Sequence, residues 1–143
     1  MRIILQAEAS ECALACLAMV ADAHGLRIDL GELRRRFSIS LKGTTLTHLI
    51  RHAEGLSFSG RPVRLELDQL SQLKMPCILH WDLNHFVVLK STSRGRVTII
   101  DPGSGEYRLS LVEVSKHFTG IALELTPNAQ FREIGRASCR ERV

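Results

Sequence analysis

No stretch of this 143-residue chain is apolar for long enough to cross a bilayer as a helix. Its longest apolar run, Cys12 to Ala21, falls well short of the roughly 20 residues a spanning helix needs. A secretory signal is missing as well, since Arg2 is followed only by Ile3-Ile4-Leu5 before polar residues begin. The chain as given is therefore expected to be soluble and to begin in the cytoplasm. Aromatic residues make up only 5%, and apart from Arg34-Arg35-Arg36 the basic residues are scattered. A net charge of +4 with a pI near 9.2 does not by itself make a nucleic-acid surface, which needs a clustered basic face and stacking aromatics. The arginine run reads more simply as a solvated helix face. Four cysteines occur without a secretory signal and without paired C-x-x-C spacing, which argues against a disulfide framework or a structural zinc site. No Gly-x-x-x-x-Gly-Lys-Ser/Thr phosphate loop occurs either. What remains, at 45% hydrophobic and 24% charged, is ordinary globular composition and enough chain for one domain with a real core.

The chain is organised around Gln6-Ala7-Glu8-Ala9-Ser10-Glu11-Cys12-Ala13-Leu14-Ala15-Cys16-Leu17-Ala18-Met19-Val20. From Cys12 on it is built of good helix formers, with no Gly or Pro until Gly25. Ser10 and Glu11 suit a helix start: a serine oxygen accepts an unpaired N–H, and a carboxylate offsets the positive helix end. Cys12 then falls in the first helical turn, where N–H groups and the helix dipole favour a thiolate. Such a thiolate is a candidate nucleophile if a histidine reaches it. Cys16, one turn further in, reads as a packed and inert thiol.

Asp22 to Gly25 closes this helix, with Gly25 as the cap residue. Leu30, Leu33 and Phe37 recur at helical spacing behind a capping Asp29, and Ser40 to Thr44 reads as a loop. Thr45 to Ala53 predicts a third helix with Leu46, Leu49, Ile50 and Ala53 on one face, closed by Gly55. His48 and His52 lie four apart, but the residues between them lack the acid of a zinc-protease motif, so they read as surface histidines with metal binding the lesser alternative. Phe58 to Leu65 looks like a strand, and Asp68 to Leu73 a brief helix ending before Pro76. Then come β-rich runs over Cys77–Trp81, His85–Lys90 and Val97–Asp101, a turn at Pro102–Gly105 leading to Tyr107-Arg108-Leu109, a short helix over Ser110–His117 and a last strand over Gly120–Leu125. Helices first and an antiparallel sheet after them is the α+β pattern.

Asn84-His85-Phe86-Val87-Val88 puts a histidine at the start of an apolar strand, and Ile99-Ile100-Asp101-Pro102 puts an aspartate at the end of the next. Antiparallel neighbours bring the start of one beside the end of the other, so His85 and Asp101 are candidate hydrogen-bond partners. With Cys12 packed against that edge they complete a Cys-His-Asp arrangement. Taken singly, Asp101 caps a turn and His85 is a strand-edge histidine. A competing reading is a metal-dependent hydrolase built on His80, Asp82 and His85.

Gln6, the Glu11-Cys12 helix, Leu79-His80-Trp81 followed by Asn84-His85-Phe86-Val87-Val88-Leu89, and Asp101-Pro102 resemble the bacteriocin-processing peptidase domain. This is the double-glycine leader peptidase at the N-terminus of peptidase-containing ABC exporters, and the similarity is to the colicin V and microcin branch. It runs to about Phe131 with the motifs in order. The resemblance implies a papain-like fold with N-terminal helices packed on a C-terminal antiparallel sheet. It implies Cys12 as nucleophile, His85 as general base and acid, Asp101 as the orienting residue and Gln6 as an oxyanion-hole donor. The implied substrate is the leader of a secreted bacteriocin or microcin precursor, cut after a Gly-Gly pair and coupled to ABC-type export. An inactive substrate-docking domain is the alternative, disfavoured because Cys12 is kept. Partners implied are the leader peptide and the transmembrane and ATP-binding domains of a homodimeric full-length exporter at the cytoplasmic face of the inner membrane. No cofactor is implied for this domain, ATP belonging to the downstream one.

The last residues, Glu133-Ile134-Gly135-Arg136-Ala137-Ser138-Cys139-Arg140-Glu141-Arg142-Val143, resemble the translation of a common short-read sequencing adapter. The expected division is a peptidase domain over 1–132, a non-native tail over 133–143, and downstream domains missing. Cys139 accordingly carries no functional expectation.

Overall fold

The computed structural model describes residues 1–5, 11–37 and 45–129. The Ser40–Thr44 loop, Gln6, Ser10 and the tail lie outside these described residues. Cys12–Ala23 forms α1, and every residue from Cys12 to Ala21 is buried. A helix apolar all round belongs inside a core rather than on its surface, which is why the sequence shows no polar stripe here. Its end is fixed by backbone geometry. Gly25 takes φ +94°, its N–H donates to Asp22 O at 3.0 Å, and the Leu26 N–H donates to Ala21 O at 2.9 Å. This paired closure satisfies orphan carbonyls, and Leu26 packs back on the core beside it.

Leu30–Arg36 forms α2, whose first turn is capped by the Asp29 carboxylate accepting from Glu32 N–H at 2.7 Å. Leu46–Gly55 forms α3, capped by Thr45 accepting from His48 N–H at 3.2 Å. Leu49 and Ala53 are fully buried on its inner face, while His48 is exposed and His52 stacks on Phe37 with ring centroids 4.4 Å apart.

The strands are β1 (Phe58–Arg64), β2 (Cys77–Trp81), β3 (His85–Ser93), β4 (Arg96–Asp101), β5 (Gly105–Ser110) and β6 (Phe118–Pro127). A 3-10 turn spans Leu67–Gln72, and the short helix α4 spans Leu111–Ser115. All pairings are antiparallel, in the order β1-β6-β2-β3-β4-β5. The last strand therefore inserts between the first two. The two sheet faces bury different residues. Ile78, Phe86, Val88, Ile100 and Leu123 pack with α1, α2 and α3, whereas Leu79, Val87, Leu89, Val97 and Ile99 pack with Leu70 and Val114 on the opposite side. That alternation is the period-2 pattern of strands covered on both faces. The α+β expectation holds, with α1 laid along β2 and β3.

Candidate active site

The nucleophile candidate stands at the first position of α1. Glu11 is the residue before it, and Cys12 itself is 5% exposed. His85 opens β3, opposite Trp81 across the β2–β3 hairpin. Its Nε2 lies 2.8 Å from Asp101 Oδ1, and the ring also hydrogen-bonds the Cys12 thiol. With Nε2 committed to Asp101, Nδ1 is the nitrogen left for sulfur. Three residues far apart in sequence thus form one hydrogen-bonded line: thiol, imidazole, carboxylate.

Asp101 ends β4, and its carboxylate is held from behind by its own turn. Oδ1 also accepts from Gly103 N–H at 2.8 Å, while Ser104 N–H donates to Asp101 O at 3.0 Å. The turn-capping role and the histidine-orienting role are therefore filled by the same side chain. His85 is pushed up to about 9. Its hydrogen bond with Cys12 is the largest cause; partial burial opposes the rise, and the Asp101 hydrogen bond and the negative charges of both partners add to it. The geometry thus favours the imidazolium beside the sulfur. Cys16, by contrast, is fully buried, and burial holds its thiol well above the ordinary range, with the charges of Cys12 and Asp101 adding. Burial likewise pushes Cys77 up to about 12, with Glu124 adding. These two thiols are packed and chemically quiet.

Two supporting arrangements have no local signature in the sequence. The turn between β2 and β3 carries Asp82 at φ +50° and Leu83 at φ +68°, a conformation that non-glycine residues adopt reluctantly. It is tied to the chain entering β6: Asp82 Oδ1 lies 2.8 Å from His117 Nδ1, Asp82 N–H donates to His117 O at 2.9 Å, and Trp81 stacks flat on His117 at 5.2 Å. This bracket holds the turn that presents His85. It also uses Asp82, and His80 Nδ1 pairs with Thr119 Oγ1 at 2.8 Å, so the histidines and aspartate of the metal-hydrolase reading are engaged separately. Among the described residues no group of three or more His, Cys, Asp or Glu is placed to hold a metal ion.

The second arrangement corrects one expectation, that of the arginine run. Glu11 makes no side-chain cap to α1. Its buried carboxylate instead takes both forks of the Arg34 guanidinium, from Nε and from Nη2, the latter at 3.0 Å. Arg34, exposed like Arg35 and Arg36, is thus more than part of a solvated arginine face. The arginine's reach across to another helix, rather than periodicity along its own, decides its role.

A central helix opening on a cysteine, with a histidine and an aspartate brought to it by adjacent strands, defines the cysteine-peptidase class. The profile of the Peptidase C39 family matches residues 1–130, and the chain belongs to that family. It is 50% identical over 129 residues to the probable microcin-H47 secretion/processing ATP-binding protein MchF of Escherichia coli, a match covering 90% of this chain and 18% of that protein. To the colicin V secretion/processing ATP-binding protein CvaB of the same species it is 48% identical over 130 residues, covering 91% of this chain and 19% of that protein. The chain thus spans about a fifth of the length of these relatives. Among solved structures, a double glycine motif protease from an AMS/PCAT transporter, in complex with the leader peptide, superposes with a TM-score of 0.83 at 33% identity, over 89% of this chain and 91% of that one.

Proposed function

We propose that this domain is a cysteine endopeptidase that removes the leader of a secreted bacteriocin or microcin precursor by cutting after a Gly-Gly pair. The observation that carries the reading is the hydrogen-bonded line from Cys12 through His85 to Asp101 at the first turn of α1. Cys12, as thiolate beside the His85 imidazolium, attacks the carbonyl carbon of the second glycine. The family resemblance gives Gln6 the role of amide donor to the negative oxygen that develops, a kind of contact whose loss costs roughly 2–4 kcal/mol in barrier. The imidazolium hands its proton to the leaving amine, and the C–N bond breaks to leave a thioester on Cys12. Water then attacks the thioester as His85 takes its proton, releasing the leader as a carboxylate and restoring the thiol–imidazole pair. Asp101 fixes the ring and stabilises its charged form throughout.

The secretion/processing ATP-binding relatives support reading the domain as one part of a longer polypeptide with an ATP-binding domain; the family resemblance extends this to transmembrane domains, a homodimer and the cytoplasmic face of the inner membrane. Among the described residues no helix is long and apolar enough to cross a membrane, so such a span would have to lie elsewhere in that polypeptide. The decisive experiment incubates the protein with a leader-bearing precursor and follows the products by mass spectrometry. Cleavage after the second glycine, lost in Cys12→Ala, is the expected result. Retained binding without cleavage would replace this reading with that of a docking domain.

A further inference from the structure

The turn that leads into His85 is built against the preference of its own residues. Asp82 at φ +50° and Leu83 at φ +68° stand side by side in the left-handed region, where hairpin turns favour Asn-Gly. Packing gives the leucine no reason to be there, since Leu83 is 81% exposed. Two residues further on, His85 has to meet both Cys12 and Asp101. A turn that has no glycine to settle its shape, and that carries the residue whose placement matters most, has to be held from outside.

His117 holds it at three points. Its Nδ1 lies 2.8 Å from Asp82 Oδ1, its carbonyl oxygen accepts from Asp82 N–H at 2.9 Å, and its ring lies flat on Trp81 with the planes 8° apart. Trp81 is itself the residue paired with His85 across the β2–β3 hairpin, and it pairs with Phe118 of β6 on its other side. The side chains of Asp82 and His117 are both exposed, and an exposed pair adds little to global stability. What such a pair can set is the conformation of the turn.

We propose that His117 and Asp82 are positioning residues for the reaction: the pair keeps the Asp82–Leu83 turn left-handed, and the turn sets His85 between Cys12 and Asp101. The inference rests on the reading of this site as a cysteine peptidase. His117 acts through Asp82 and Trp81 rather than on the substrate, so its loss should lower turnover and leave affinity alone.

The test separates holding the turn from filling space. His117→Ala removes the ring and Nδ1 but keeps the backbone bond. With a leader-bearing precursor, kcat should fall about tenfold while KM stays within about twofold of wild type. Adding Asp82→Asn and Leu83→Gly gives the turn residues that adopt left-handed φ readily. That triple variant should recover kcat to within about threefold of wild type, because the turn no longer needs holding. Packing lost against Trp81 would not be repaired this way, since neither change restores the ring. A folded His117→Ala with unchanged kcat, a rise in KM alone, or a loss that the two turn substitutions leave in place overturns the proposal. If circular dichroism shows His117→Ala unfolded, the triple variant decides: folded and active, it carries the proposal, and unfolded or inactive, it overturns it. A wild type that does not cut the precursor, or that still cuts it after Cys12→Ala, removes the peptidase reading and this inference together. Cleavage that depends on Cys12 but is indifferent to His117 removes the inference only.

Discussion

Cys12 and Cys16 lie one turn apart on the same helix, yet only the first touches His85. Cys12→Ala should therefore abolish precursor cleavage, lowering turnover by roughly 10^4-fold or more, as losing a nucleophile does elsewhere. Cys16→Ala should keep most of the activity and cost about 1 kcal/mol of stability in urea unfolding, because it removes only a packed sulfur. Equal loss from both, with folding intact, would sink the assignment. His85 carries a pH prediction whose sign follows from its pKa being raised to about 9. The imidazolium is the form that the site favours, so the stability it contributes is fully present below the ordinary histidine range and is lost as pH rises through about 9. The alkaline limb of kcat/KM should fall at the same place. Asp101→Asn removes a negative charge that holds the ring up, so this limb should move to lower pH. Its turnover should drop less than in His85→Ala, since an amide can still hold the imidazole. At this scale the sequence is highly legible where a residue's role depends on where it sits in its own element: Cys12 in a first turn, His85 at a strand start, Asp101 at a strand end. It is nearly silent on Arg34 and His117, whose roles depend on what another element brings within reach.

The elements that position these side chains are set by local chemistry, which is why most of them could be read in advance. Asp29 caps its helix by the expected side-chain bond, Thr45 caps α3 in the same way, and the Asp101–Ser104 turn follows from an Asx residue before Pro-Gly. Gly25 offers a clean test of such local control. A Cβ there would meet nothing within 4 Å, so the cost of Gly25→Ala is conformational alone, at φ +94°. It should lower stability by roughly 1–2 kcal/mol in equilibrium unfolding while leaving cleavage kinetics unchanged. A large change in KM or kcat would mean that the end of α1 is coupled to its first turn. What local chemistry does not determine is the order of the strands. Nothing in Phe118–Pro127 says that this strand lies between β1 and β2, or that Arg61 of β1 reaches Glu124 there at 3.2 Å. Long-range pairing of that kind is chosen by the packing of both faces at once.

For the molecule as a whole, the family match covers residues 1–130, and the tail over 133–143 lies beyond it. Deleting residues 133 to 143 should leave both melting temperature and cleavage unchanged, and a large fall in melting temperature would contradict the adapter reading of the tail. Under the proposed function, the remaining question is how one small domain would recognise a whole precursor. A cleft too narrow for side chains admits residues that lack Cβ, and such steric exclusion discriminates more sharply than an apolar pocket does between neighbouring methylenes. Two glycines carry little binding energy, however, so affinity has to come from another part of the substrate. An amphipathic leader helix laid against an apolar surface would supply it, as helix-in-groove recognition does in general. The expected behaviour is bipartite. Replacing either glycine of the precursor by a bulkier residue should abolish cleavage with little change in binding. Making the leader's apolar positions polar should raise KM while kcat is largely kept, because those contacts are made equally in ground state and transition state. Steady-state kinetics on the two precursor series separates the effects. A short peptide containing only the Gly-Gly segment, if cut as efficiently as the full precursor, would show that leader docking contributes nothing and that the cleft alone selects the substrate.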